Sequence, residues 1–336
     1  MTKRQGNYDV LRFVSTFFVI VLHINAHYYT MTDNGVEGQL ISFINIITRI
    51  SVPCFVMISG AFILNNPKNK DFKFFYTHVF QNTVLPFLVI SFVLLGASTI
   101  KAIVIHEDLL APLKAFFIGD YFNLWFMFML FGLYFFTPII IMVKEKISNR
   151  IFCITSFIWL GFSIWFQSNS EHLVSYSFGV VFAYMGYYLV GNAIYENTKK
   201  KTHSKMLLCF VGSVVCIILT FFIRQFYSIG KYLWNPYVSF FSPTIVVASI
   251  FIFLTISNWN VKVSFGKLPH LLFYVYLFHT AIYQIIFSVL KSKIIYNTFI
   301  TILVVSMVTF LISFVVAVVF WYIWRYFIRF ILKNKN

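Results

Sequence analysis

Apolar runs of about 20 residues recur from one end of this 336-residue chain to the other. A run of about that length is what one helix needs to cross a hydrocarbon layer about 30 Å thick. Sixty per cent of the residues are hydrophobic and 11% are charged, whereas soluble domains carry about a quarter charged residues. The chain therefore reads as an all-α integral membrane protein. A transmembrane β-barrel would show alternating segments of roughly ten residues, and the sequence has none. Ten transmembrane helices are expected, at about 10–30, 40–64, 79–100, 122–143, 151–166, 173–194, 206–223, 238–257, 271–290 and 299–322. No internal repeat of the inverted-repeat transporter kind is evident, so one membrane domain over 1–336 is expected.

The net charge of +16 raises the question of nucleic acid, and its distribution answers it. With the N-terminus placed in the cytoplasm, 18 of the 26 Lys and Arg fall in the inside segments and six in the outside ones. Arg12 and Arg49, inside spans, complete the set. This is the positive-inside bias, which puts both termini in the cytoplasm. The basic surplus reflects topology and contact with the lipid bilayer, and no nucleic-acid partner is expected. The first span is too long for a signal-peptide core and lacks a small-residue cleavage site, so it is expected to stay in place. The four cysteines, Cys54, Cys153, Cys209 and Cys216, all lie in spans, which argues against a disulfide or metal framework.

The first span, NYDVLRFVSTFFVIVLHINAHYY, carries Asp9, Arg12, His23 and His27. Eleven residues make about three helical turns and rise about 16 Å, so Arg12 and His23 share a face. Asp9, three residues before Arg12, can pair with its guanidinium. Two readings are open: Arg12 snorkels to the interface and His23 bonds a neighbouring helix, or the two mark the ends of a ligand path. His23 and His27 could both face a metal, but no Glu or Cys stands beside them, so no metal is expected. Arg49, in TRISVPCFVMISGAF, lies about a third of the way into the second span from outside. Snorkelling is difficult there, and an acidic partner, backbone carbonyls or an anionic ligand would satisfy it. Pro53 should bend that helix, and Gly60, next to Ser59, should allow close helix approach. His279, in FYVYLFHTAIY, either lines a cavity or packs helices. Trp125, opening the fourth span, has the position of an interfacial aromatic anchor.

Several of these segments together resemble the acyltransferase-3 family of membrane-bound acyl-CoA-dependent acyltransferases. Asp9, Arg12 and His23 match the family's first-span pattern. RISVPCFVMISG matches the second-span pattern, and LWFMFMLFGLYFFTP the fourth. YMGYYLVG, SPTIVVASIFIFL and YVYLFH follow in the family's order. Two departures stand out. Members often carry arginines before the third span, where this chain has FFYTHVFQNTVLP, so Lys68, Lys70 and Lys73 become candidates for the donor nucleotide. A histidine commonly precedes the L-W-F motif, and here that residue is Asn123.

The resemblance implies transfer of an acyl group, acetyl first, from cytosolic acetyl-CoA to a hydroxyl of a cell-surface polysaccharide or lipid-linked oligosaccharide, at the bacterial cytoplasmic membrane. Acetyl-CoA would be a substrate, with no bound cofactor. His23 and Asp9 are the candidate catalytic residues and Arg12 and Arg49 the candidate donor-binding residues. Trp125, His279 and Ser59 are candidate supporting positions. An imidazole with a pKa near 6.5 can accept a hydroxyl proton or carry the acyl group itself, and Arg49 can stabilise an oxyanion. A transporter or flippase for a glycan or small solute is the alternative reading, since it also needs polar groups inside a bundle.

Overall fold

A computed structural model describes residues 6–29, 35–106, 108, 110–118, 125–169, 178–198, 201–226, 239–261, 265–290 and 298–333. Asn123, and most of the loop that joins the seventh and eighth expected spans, lie outside these residues. The described residues are helical and contain no strand. The helices are α1 (Gly6–Tyr29), α2 (Val36–Thr48), α3 (Ser51–Ile63), α4 (Phe72–Val79), α5 (Leu85–Ile105), α6 (Ala111–Ile118), α7 (Trp125–Lys146), α8 (Asn149–Asn169), α9 (Phe178–Asn197), α10 (His203–Phe226), α11 (Pro243–Asn258), α12 (Leu268–Leu290) and α13 (Thr298–Lys333).

Eight stretches among these residues are long and apolar enough to cross a membrane, with α2–α3 and α4–α5 each counting as one. The chain is a multi-pass membrane protein. Helices α9 and α11 fall at the two other expected spans. Helix α11 has only 16 residues, and α9 carries four tyrosines, Asn192, Glu196 and Asn197.

Two prolines explain two local irregularities. Pro53 has no N–H to give the Arg49 carbonyl, and its ring crowds that carbonyl. The α2–α3 junction falls at Arg49 and Ile50, where the Arg49 N–H bonds Ile46 in a tightened turn. Arg49 thus sits 13 residues into the Val36–Ile63 helix pair, near its middle rather than a third of the way in, because α2 begins four residues before the expected start. Pro86 likewise cannot bond the Asn82 carbonyl, and the chain passes through a π-helical turn at Phe80–Val84 before α5. Asn82 reaches back to the His78 carbonyl at 2.9 Å.

Packing divides the chain into two units, Met1–Tyr76 with Phe126–Ser264, and Thr77–Trp125 with Phe265–Asn336. In the first, α1 lies against α2, α3 and α11, and α9 lies against α3 and α8. The α3–α9 contact is backbone on backbone. A Cβ at Gly60 would collide with the Tyr188 carbonyl, and one at Gly191 with the Met57 backbone. The residues around this seam are fully buried. Tyr187 donates its hydroxyl to the Phe240 carbonyl at 2.5 Å, and the Tyr188 hydroxyl meets that of Thr137 at 2.9 Å. Ile46, Ile50, Ile217, Ile245 and Ala248 form an apolar cluster joining α2, α10 and α11. In the second unit α12 packs along α13 and also touches α5.

Since lipid tails are as apolar as leucine, helix association in a membrane depends on this kind of close packing. Gly191→Ala should therefore cost about 1–3 kcal/mol through overpacking, seen as a lower melting temperature of the purified protein in detergent. Gly161→Ala, whose Cβ would meet nothing within 4 Å, should leave the melting temperature unchanged or raise it.

Candidate active site

The N-terminal end of α1 is held by aromatic and polar contacts from three other helices. Tyr8 packs against Phe62 of α3 at 5.2 Å, Tyr195 of α9 at 5.8 Å and Phe253 of α11 at 5.6 Å between ring centroids. Its hydroxyl lies 2.9 Å from the Ser257 hydroxyl, and Asn7 donates to the Ile256 carbonyl at 2.6 Å. Asp9 is buried in this setting at 1% exposure and accepts a 2.9 Å hydrogen bond from Arg12, which is 23% exposed. The Arg12 guanidinium lies 5.1 Å from the centre of the Phe62 ring. Tyr134 of α7 lies beside the Ser59 side chain. Arg12, Asp9, Phe62, Ser59 and Tyr134 thus form one constellation. A carboxylate buried to that degree is tolerable only with a partner, and the guanidinium is that partner.

His23 stands eleven residues further along α1, about 16 Å up the helix axis, and is half-buried. His27, one turn beyond, is exposed beside Tyr28. Arg49 is buried at 5% exposure. Its Nε donates to the Asn45 side-chain oxygen at 3.2 Å, and its guanidinium lies 5.0 Å from the centre of the Phe240 ring. Stacking on an aromatic face suits a guanidinium, which is less strongly hydrated than an ammonium.

A cavity of about 380 Å³ opens at the ends of α3, α7 and α9, in the same unit as Arg12, with Asn65, Lys144, Glu145 and Glu196 in its wall. Lys144 donates to Glu196 and to the Asn65 side chain, both at 2.7 Å, and Lys70 pairs with Glu145. Of the lysines considered for the donor nucleotide, Lys70 is therefore already paired with a carboxylate. Lys68 lies 5.9 Å from the centre of the Phe74 ring.

A family model described as an acyltransferase domain, acyltransferase-3, matches residues 5–327 of this chain. The chain belongs to the acyltransferase-3 family. An amino-acid racemase from Enterococcus faecalis is 23% identical over 91% of the chain and 45% of its own length. The chain thus spans about half the length of that curated relative, whose name describes the longer protein. No solved structure matches.

The acyltransferase-3 segments fall on defined parts of the fold. RISVPCFVMISG spans the α2–α3 break and carries Arg49, Ser59 and Gly60, while YMGYYLVG in α9 carries Gly191. Asp9, Arg12, His23, Arg49 and Ser59 share the first packing unit. His279 and Trp125 belong to the second. His279 is buried at 2% exposure. Its Nδ1 meets the Tyr276 carbonyl at 2.5 Å, and since a carbonyl only accepts, Nδ1 carries a proton. Its Nε2 lies 3.2 Å from the Thr280 hydroxyl, so these hydrogen bonds are to its own helix. Trp125 is the first residue of α7 and is half-buried.

Sequence reasoning missed Phe62, Asn45 and Phe240 as neighbours of the two arginines, and Tyr8 and Tyr134 as neighbours of Phe62 and Ser59. Tyr134 stood inside the LYFFTP segment, and Asn45 is one helical turn before Arg49, a spacing that brings side chains together. Phe62 and Phe240 gave no signal, because aromatic residues are everywhere in this chain.

Asp9→Asn should leave Arg12 without its countercharge in a partly buried place. The expected loss is about 1–3 kcal/mol, below the 3–5 kcal/mol of a fully buried pair because Arg12 is partly exposed. Thermal unfolding in detergent checks it. The double variant Asp9→Asn/Arg12→Gln should recover part of the loss, and strict additivity would show that the pair is not coupled.

Proposed function

We propose that this protein transfers an acetyl group from cytosolic acetyl-CoA to a hydroxyl of a cell-surface polysaccharide or its lipid-linked precursor, in the bacterial cytoplasmic membrane. Membership of the acyltransferase-3 family supports the acyl-transfer class. The observation that carries the mechanism is the pairing on α1 itself. Arg12 is held by the buried Asp9, and a half-buried imidazole, His23, stands about 16 Å further along the same helix.

In this reading Arg12 holds a polar or anionic part of the donor at the mouth of the site. Asp9 fixes the guanidinium, and Phe62 supports its face. The thioester then lies near His23. The imidazole takes the proton of the acceptor hydroxyl, whose oxygen attacks the thioester carbonyl. The new C–O bond forms, the C–S bond breaks, and the departing thiolate receives the proton from the imidazolium. Arg49, near the middle of its helix pair, stabilises the oxyanion or holds the acyl carbonyl. Its fixed seat between Asn45 and Phe240 means that little reorganisation is needed as charge develops.

The test is acetyl transfer by the purified protein in vesicles with labelled acetyl-CoA, alongside O-acetyl content of the surface glycan in a complemented deletion strain. His23→Ala should lower the rate by about 100-fold or more, the usual contribution of a general base, at unchanged membrane abundance. Arg12→Ala should raise the KM for acetyl-CoA more than it lowers kcat. A His23→Ala protein with wild-type transfer would overturn the mechanism. Glycan flux without consumption of acetyl-CoA would point to transport.

A further inference from the structure

All ten Asp and Glu residues of the chain lie at or before position 196, and 14 of its 26 Lys and Arg follow. The last 140 residues therefore carry no acidic side chain to balance their cations. Within the second packing unit, two of these cations meet on one ring. The Lys267 ammonium lies 4.7 Å and the Arg325 guanidinium 4.8 Å from the centre of the Trp321 ring. Trp321 is 8% exposed, whereas Lys267 and Arg325 are both exposed. Among the described residues, neither makes a salt bridge with a carboxylate. Two like charges held beside one indole repel each other, and a counter-anion relieves that repulsion.

Their depth says which anion can reach them. Arg325 lies 27 residues beyond Thr298, the start of α13, or about 40 Å along the helix. The hydrocarbon layer is about 30 Å thick, so a span that enters it near Thr298 brings Arg325 to headgroup level. Lys267 immediately precedes Leu268, where the membrane-length helix α12 begins. Trp321 is likewise a residue type that favours the interface.

We propose that Lys267, Arg325 and Trp321 form a binding site for the phosphate of an anionic phospholipid headgroup in the leaflet that these helix ends face. The ring keeps the two cations together, and the lipid phosphate supplies the negative charge that the C-terminal part of the chain lacks. This site is independent of the acyl-transfer reading, since it rests on the second unit alone.

The test uses the full chain in detergent micelles containing equal phosphatidylglycerol and phosphatidylcholine, with retained lipids counted by native mass spectrometry. Wild type should retain phosphatidylglycerol preferentially. Lys267→Gln and Arg325→Gln should each weaken that retention about five-fold, the usual effect of one basic residue at an anionic surface. Trp321→Leu, which keeps both charges but removes the ring, should also weaken it. Lys146→Gln/Arg150→Gln, which removes two charges at exposed positions of the other unit where each single variant removes one, should leave it intact. Equal loss in that control would show a diffuse charge effect and overturn the site. Displacement of the lipid by millimolar inorganic phosphate would assign the cations to a soluble anion instead, and would overturn the lipid proposal.

Discussion

The close approach of α3 and α9 at Gly60 and Gly191 sets the spacing on which the first unit depends. With no side chain at either position, the two backbones touch. The aromatic residues beyond the seam then converge. Phe62 follows Gly60 by two residues and Tyr195 follows Gly191 by four, and both rings pack on Tyr8. Phe62 also supports the Arg12 guanidinium. Separating the two helices by a methyl group would therefore move the supports of the charged end of α1. The backbone contact and the candidate chemistry are linked through two rings.

The second governing term is the cost of charge in an apolar medium. An arginine near the middle of a span costs several kcal/mol unless the protein supplies a substitute for water. The chain uses two solutions. At Arg12 the substitute is a nearly fully buried carboxylate three residues away, together with a ring face. At Arg49 it includes a side-chain amide one turn away and the Phe240 ring. Where helix ends reach polar surroundings, ordinary Lys–Glu pairs suffice, as between Lys144 and Glu196. Arg12 is partly exposed and Arg49 is buried, which is the contrast that the proposed roles of donor contact and charge stabilisation rest on.

The helix positions and the Asp9–Arg12 pair were legible in the sequence because both are local. A span shows itself as a run of apolar residues, and a pair three residues apart is brought together by one helical turn. Pro53 was likewise legible as a bend, since its missing N–H frees the Arg49 carbonyl whatever surrounds it. The start of the helix that carries Arg49 was less legible, because α2 begins at Val36, where Glu37, Gly38 and Gln39 dilute the hydropathy signal. Grouping was not legible at all. His279 could be read from the sequence as lining a cavity or packing helices, and the sequence did not say that it belongs to the second packing unit or that its Nδ1 bonds the Tyr276 carbonyl of its own helix.

What the sequence by itself determined is the membrane-spanning helical class, the family, and which ionisable groups lie inside spans. The class and the ionisable groups follow from composition and run length, and the family from motif segments matched in order. Only the tertiary structure decided which rings and amides surround Arg12 and Arg49, that Lys70 is already paired, and that Lys267 and Arg325 share one indole. Apart from Asn45 with Arg49 and Trp321 with Arg325, each four positions apart, those contacts join residues 50 to about 190 positions apart, and aromatic residues make up 21% of the chain. No local pattern selects one ring among so many, whereas the packing of helix against helix does.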